Sequence, residues 1–264
     1  RVQSESYPLQ VSPDLYAAPV IRDSVWVWIG ESKLQTKPPR TPYSYQYSDL
    51  GFLLFQRLAE KIFNQPIDEF LCQNLYEPLG AYRTGYTPLK RFPAQQIAPT
   101  EDDKIYRKTH IAGTVHDERA AMMGGVAGHA GLFSNSTDLA KLGQMLLQKG
   151  AYGGYQYYKP ETVELFTAKQ FDHSRRGLGW DKPIQSEWNS PTSLKASPKT
   201  FGHTGFTGTC IWVDPEFNLV YIFLSNRVYP DRSGKLITSN IRSRIQDVVY
   251  ESIFEYCNHP ASSL

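Results

Sequence analysis

Residues 203–224 read HTGFTGTCIWVDPEFNLVYIFL, and two stretches of the run, Thr207 to Val213 and Leu219 to Leu224, are dense in β-branched and aromatic residues. Such residues suit a pleated, half-buried surface. Asp214-Pro215-Glu216-Phe217-Asn218 separates the stretches with turn-forming residues. The pair is therefore an expected antiparallel hairpin with a five-residue connection. His203-Thr204-Gly205 stands at its entry. A glycine there lets a ligand approach the strand backbone. If the strand runs along the edge of a site, the N–H of Phe206 points into it and can help hold an oxyanion. His203 can hydrogen-bond a substrate or stabilise an anion. The plainer alternative is a glycine turn beside a surface histidine.

Working outward, the chain after the hairpin carries Ile237, Ile241, Ile245, Val248, Val249 and Ile253 on one helical stripe. Upstream the pattern is helical. Ser48 or Asp49 can cap a helix whose apolar positions are Leu50, Leu53, Leu54, Leu58, Ile62 and Phe63, ended by Asn64-Gln65-Pro66. A second helix is expected from Pro66 to about Leu75. A third should start near Ser136-Thr137-Asp138, bury Leu139, Leu142, Met145 and Leu146, and stop before Gly150. A short one should start at Pro160-Glu161. Residues 1–46 read as mostly irregular, with a short helix between Asp23 and Leu34, and residues 81–130 read as loop. The order implies an α/β (α+β) fold: an antiparallel sheet flanked by helices, with an adjoining helical region. Residues 1–200 would be mainly helix and loop, and 201–264 the sheet hairpin and final helix.

Two further motifs could carry chemistry. Tyr47-Ser48-Asp49 sits at the mouth of a helix. A tyrosine there can act as a base only if nearby positive potential lowers its pKa from about 10. The alternative is a cap with Tyr47 packed beside it. Val115-His116-Asp117-Glu118 is followed by Gly124-Gly125-Val126-Ala127-Gly128-His129-Ala130-Gly131, and this much glycine implies tight turns and close approaches. His116 with Asp117, or His129 with a carboxylate, could form an orienting pair. Zinc held by His116, Asp117 and His129 would match none of the common spacings. No Gly-Lys-Ser/Thr follows the glycines, which excludes a P-loop. No cofactor or metal is expected.

Composition narrows the rest. The 264 residues are 41% hydrophobic and 20% charged with a net charge of +2, values of a folded domain without the basic footprint of a nucleic-acid binder. Cys72, Cys210 and Cys257 are odd in number and far apart, against a disulfide scaffold or a zinc knuckle. The longest apolar run, Leu219 to Leu224, is too short for a transmembrane helix. No signal peptide is seen, and a chain opening on Arg1 is expected to be a processed product or a piece of a longer parent.

The order of motifs is more specific than any one of them. Tyr47-Ser48-Asp49 runs into Leu50-Gly51-Phe52-Leu53-Leu54, Tyr76-Glu77-Pro78-Leu79-Gly80 follows, Gly128-His129-Ala130-Gly131-Leu132-Phe133-Ser134 precedes Asp138-Leu139-Ala140, and His203-Thr204-Gly205 opens a hairpin ending in Leu224-Ser225-Asn226-Arg227. From about Tyr45 onward this resembles the class C-like branch of the serine β-lactamase and penicillin-binding superfamily. That resemblance implies a β-lactamase/transpeptidase-like fold and acyl-enzyme chemistry. Family members use Ser-x-x-Lys, then Tyr-x-Asn or Ser-x-Asn, then Lys-Thr-Gly or His-Thr-Gly. By resemblance Tyr47 and Asp49 take the second motif, and His203, Thr204 and Gly205 the third, with Phe206 N–H as half of an oxyanion hole. Asp49 in place of Asn and His203 in place of Lys both count against efficient β-lactam hydrolysis.

No serine in the chain is followed three residues later by lysine. Thr192-Ser193-Leu194-Lys195 has threonine there and follows the second motif. The resemblance implies that the nucleophile, its lysine and the first sheet strands lie upstream of Arg1, which would leave this chain alone inactive and its sheet with an open edge. The His116 and glycine-rich stretch is most similar to a bacterial subgroup in which this domain follows, or is encoded beside, a family 3 glycoside hydrolase. Members of that subgroup resemble muropeptide amidases. An envelope location, a muropeptide substrate and an upstream glycoside hydrolase domain are what the resemblance implies. An esterase or β-lactamase-like hydrolase of another substrate, and a non-catalytic ligand-binding module, are the alternatives.

Overall fold

A computed structural model describes residues 2–184, 190–232 and 234–258 of the chain. They fold as two compact units, the first formed by Arg1–Pro78, Tyr82–Ser134 and Val228–Asp231, the second by Leu79–Ala81, Asn135–Arg227 and Arg232–Leu264.

The first unit opens with an antiparallel hairpin, β1 (Leu9–Ser12) and β2 (Leu15–Ala17). Strands this short show no readable alternation, which is why the sequence reads as irregular there. Helix α1 (Pro19–Glu31) starts on its proline, earlier than the expected Asp23. A proline in the first turn lacks only an N–H that no helix would use. Helix α2 (Leu50–Phe63) ends at Asn64, in the left-handed region at φ 51°. Helix α3 (Ile67–Leu71) continues as a π-helical turn over Cys72–Tyr76. The stretch read as loop holds a second hairpin, β3 (Pro99–Asp103) with β4 (Thr109–Ala112), and helix α4 (Glu118–Met122). Val11, Ala17, Val25, Leu53, Val115 and Ala120 meet in the core of this unit. Only part of the expected apolar face of α2 enters it: Leu53 is buried, while Leu54, Leu58 and Ile62 are exposed.

A buried ion pair fixes the β3–β4 connection. The Asp103 carboxylate accepts the backbone N–H groups of Ile105, Tyr106 and Arg107 at 2.8–3.0 Å and Nε of Arg107 at 3.0 Å. Burial works against this carboxylate, but the three amides and the guanidinium hold its pKa well below the usual range. Arg107 then donates to the carbonyls of Val115 at 2.7 Å and His116 at 2.6 Å. The clamp thus sets the backbone of the residues leading into α4.

The second unit begins with α5 (Ser136–Leu147), capped by Asn135, whose side chain accepts the Asp138 N–H at 2.8 Å. The cap lies one residue before the expected cluster. A short hairpin, β5 (Ala151–Tyr152) and β6 (Tyr155–Gln156), leads to α6 (Pro160–Thr167). Strands β7 (Phe201–Thr204), β8 (Cys210–Asp214) and β9 (Leu219–Phe223) form an antiparallel sheet in that order. The β8–β9 pair is the expected hairpin, with Trp212 opposite Tyr221. Helix α5 packs on this sheet so closely that a Cβ on Gly143 would stand 2.5 Å from Val220 Cγ1. Among the described residues β9 pairs with β8 alone.

Helices α7 (Lys235–Thr238) and α8 (Ile241–Asn258) flank Asn240, left-handed at φ 49°. The buried face of α8 overlaps the expected stripe only in part, with Val249 packed on Cys210, Trp212 and Tyr221. Ile245 and Val248 are exposed, whereas Gln246 and Tyr250 are 1% and 0% exposed. Hydrogen bonds decide this: Tyr250 Oη donates to Asp214 at 2.6 Å, and Gln246 Oε1 accepts the Ser193 N–H at 2.9 Å. Buried polar groups need such partners, and here the partners outweigh the apolar pattern.

Candidate active site

The first unit brings one set of candidate residues together. Ser48 Oγ accepts the Leu50 N–H at 3.2 Å, and the Asp49 carbonyl accepts the N–H groups of Phe52 and Leu53. Ser48 is therefore the side chain that caps α2, and Asp49, in helical backbone geometry, caps with its main chain. The Asp49 carboxylate is turned to Arg119 of α4, 3.6 Å away. Tyr47 is 61% exposed.

The glycine-rich loop packs behind this helix start. A Cβ on Gly128 would stand 2.2 Å from the Phe52 carbonyl oxygen, so only glycine fits. Gln56 of α2 binds the same loop, accepting from Gly128 N–H at 2.9 Å and donating to the Val126 carbonyl at 3.4 Å. The next residue, His129, places Nε2 3.0 Å from Asp117 Oδ1. Asp117 Oδ1 also accepts the Ala120 N–H at 2.8 Å and so caps α4. Burial would raise the Asp117 pKa, but the His129 hydrogen bond and the Ala120 amide pull it down to about 2. Of the two pairings the sequence allowed, the structure makes His129 with Asp117. His116 instead pairs with Glu101 on β3, Nε2 to Oε2 3.0 Å, both side chains buried. Among the described residues no cluster of His, Cys, Asp and Glu is placed to hold a metal ion.

The second unit holds the other set. His203 and Thr204 close strand β7, paired with Ile211 and Cys210. Gly205–Thr209 is a tight turn rather than the start of a strand: Gly205 N–H donates to the Thr209 carbonyl at 2.7 Å, and Gly208 has φ 105°. Phe206 thus lies in a turn, 61% exposed, where the sequence reading placed it near a strand edge. Two arginines brace the turn. Arg227 Nε donates to the Phe206 carbonyl at 2.7 Å with its guanidinium over the Phe206 ring at 4.6 Å, and Arg242 donates to the Thr209 carbonyl at 2.9 Å. Burial and then the neighbouring Arg242 push the pKa of Arg227 down. At the other side Arg176 NH1 lies 2.9 Å from His203 Nε2. The sequence assigns no site role to Arg119, Arg176, Arg227 or Arg242, because arginines at these positions form no recognisable spacing.

A cation-rich turn beside a strand end can hold an anionic or developing-anion group, and a carboxylate-oriented histidine fixes a loop or a proton. A model of the β-lactamase family matches residues 30–245. The chain belongs to that family. Its members are hydrolases of the serine acyl-enzyme type. The β-lactamase-family chain is similar to "Putative D-alanyl-D-alanine carboxypeptidase" of Escherichia coli K12, 40% identical over 206 residues that make up 71% of this chain and 48% of that protein. A protein of the same name from Salmonella gallinarum is 36% identical over 220 residues, 76% of this chain and 51% of that one. The chain spans about half the length of these relatives.

Solved structures agree on the fold. A β-lactamase from Mycobacterium bovis superposes with a TM-score of 0.56 at 21% identity, covering 80% of this chain and 65% of that one. A penicillin-binding protein homologue from Caulobacter crescentus gives 0.54 at 17% identity, covering 84% and 63%. The expected mixed fold with small antiparallel sheets is therefore what the chain has. No described helix is long and apolar enough to cross a membrane.

Proposed function

We propose that the whole protein is a serine acyl-transfer hydrolase of cell-wall muropeptides, an amidase or peptidase, and that this chain supplies its second and third motifs. The observation that carries the reading is the retention of both motifs, in order, in a chain 40% identical to a protein named for D-alanyl-D-alanine carboxypeptidase activity. The reaction calls for a Ser-x-x-Lys pair, supplied by residues of the whole protein that precede Tyr47 outside these 264. In it the serine Oγ adds to the substrate carbonyl, its proton passing to the lysine–Tyr47 pair. The amine leaves with that proton, and water then cleaves the acyl-enzyme. Phe206 N–H and the serine N–H hold the oxyanion, His203, Thr204 and Gly205 line the substrate, and Asp49 binds the lysine. His116, Asp117 and His129 shape the loop behind α2. The reading includes an envelope location and a family 3 glycoside hydrolase domain upstream in the parent, which the parent gene sequence tests directly.

Turnover of muropeptides, p-nitrophenyl esters and nitrocefin by the whole protein is the experiment. Release of peptide from muropeptides, with slow or no nitrocefin cleavage, is the expected result. Ester cleavage without muropeptide turnover would replace this reading with an esterase. Muropeptide binding with no turnover of any substrate would replace it with a binding module.

A further inference from the structure

We infer that Arg176, braced by Asp181, is a positioning residue that fixes the ring of His203, and that the guanidinium carries the positive charge at this corner of the second unit. The inference rests on the reading that His203 belongs to the site. Asp181 lies beside the outer edge of β7, exchanging backbone hydrogen bonds with Gly202 at 2.8 and 3.0 Å. Its side chain, 3% exposed, accepts from Arg175 Nε at 2.5 Å and NH2 at 2.9 Å, and lies 3.3 Å from Arg176 NH1. Gly202 precedes His203, so the bridge that anchors Asp181 also brings Arg176 to the histidine, 2.9 Å from Nε2.

An arginine offers only donors and keeps its proton in proteins. Nε2 of His203 is therefore the acceptor. The ring proton then sits on Nδ1, which is 2.8 Å from the Thr204 carbonyl and donates to it. Both ring nitrogens are committed, and the ring plane is fixed from two sides. The lone pair that a general base would use is occupied by Arg176. Charge follows the same logic. Two guanidiniums share the one Asp181 carboxylate, and Arg227 and Arg242 add two more around the adjoining turn. The resemblance places His203 at the first position of the Lys-Thr-Gly or His-Thr-Gly motif, but the geometry puts the cation on a residue 27 positions earlier. The substrate group met here is accordingly an anion, a free carboxylate on the acyl donor, rather than a proton donor to histidine.

Long-range ¹H–¹⁵N correlation spectra of the histidine rings test the first half on the ¹⁵N-labelled chain. The wild type should show His203 with a protonated Nδ1 and an unprotonated Nε2. Arg176→Met should strip the unprotonated Nε2 of its donor and shift that nitrogen's ¹⁵N resonance, while the Thr204 carbonyl keeps the proton on Nδ1, and Arg176→Lys, which keeps a donor, should preserve the wild-type signature. A wild-type ring protonated at Nε2, or a signature unmoved by Arg176→Met, overturns the inference. If that variant does not fold, the wild-type spectrum alone still decides. The second half is read in the whole protein with paired acyl donors ending in a carboxylate or its amide. Arg176→Met should cost the carboxylate form at least about tenfold more in kcat/KM, the loss of one charge-assisted hydrogen bond. An unchanged preference would overturn the charge assignment. Absence of all turnover would instead sink the hydrolase reading and leave the tautomer result standing.

Discussion

Replacing Asp117 with asparagine removes a charge while keeping the shape and the helix cap, since asparagine also caps α4 well. In the folded chain burial raises the Asp117 pKa, but the His129 hydrogen bond and Ala120 amide outweigh it and bring it to about 2 from an ordinary 3.8. A depressed carboxylate contributes stability that is fully present above its unfolded pKa and lost as pH falls through the folded one. The difference corresponds to about 2 kcal/mol at pH 7. The side chain is 29% exposed, so solvent trims this figure without removing it. The linkage gives about 1 kcal/mol at pH 3 and almost nothing near pH 1. Urea unfolding followed by circular dichroism at pH 7 and pH 3 is the assay. Asp117→Asn should unfold at lower urea than the wild type at pH 7, with the gap roughly halved at pH 3. A variant within about 0.5 kcal/mol of the wild type at pH 7, or an equal gap at both pH values, would refute the role given to the His129–Asp117 pair.

Gly128→Ala forces a Cβ to within 2.2 Å of the Phe52 carbonyl oxygen, and a thermal melt should show a loss of about 1–3 kcal/mol. Tyr250→Phe deprives the buried Asp214 carboxylate of a 2.6 Å hydrogen bond and should cost about 1.5–3 kcal/mol in urea unfolding. Asp49→Asn breaks only the 3.6 Å pair with the half-exposed Arg119, so stability should move by less than about 0.5 kcal/mol. In the whole protein the same change should lower KM for carboxylate-bearing substrates, which steady-state kinetics would show.

Helices α2 and α5 and the β8–β9 hairpin were legible because each carries a full period, a cap and a stop in its own sequence. Elements set by distant partners were not. The strand after Gly205 starts at Cys210 instead of Thr207 because the intervening residues close a turn that Arg227 and Arg242 brace. The apolar stripe of α8 reads correctly as amphipathic and Val249 does pack on the sheet, but the buried face is turned toward Tyr250 and Gln246, which Asp214 and Ser193 draw inward. At the candidate site, the sequence held both possible histidine pairings open. The choice fell to Arg107, whose grip on the His116 carbonyl fixes that backbone, and to Glu101 on β3, which takes the His116 ring. Arg176 reaches His203 only because Asp181 bridges to Gly202, a contact no linear spacing encodes.

We propose that the nucleophilic serine of the whole protein lies outside these 264 residues. Covalent labelling tests it most directly. The whole protein would be treated with a fluorophosphonate and with a fluorescent penicillin, digested, and the adduct mapped by mass spectrometry. The adduct should fall on the serine of a Ser-x-x-Lys pair outside these 264 residues, and none should form on the isolated chain. An adduct on any serine between Ser4 and Ser263 would contradict it.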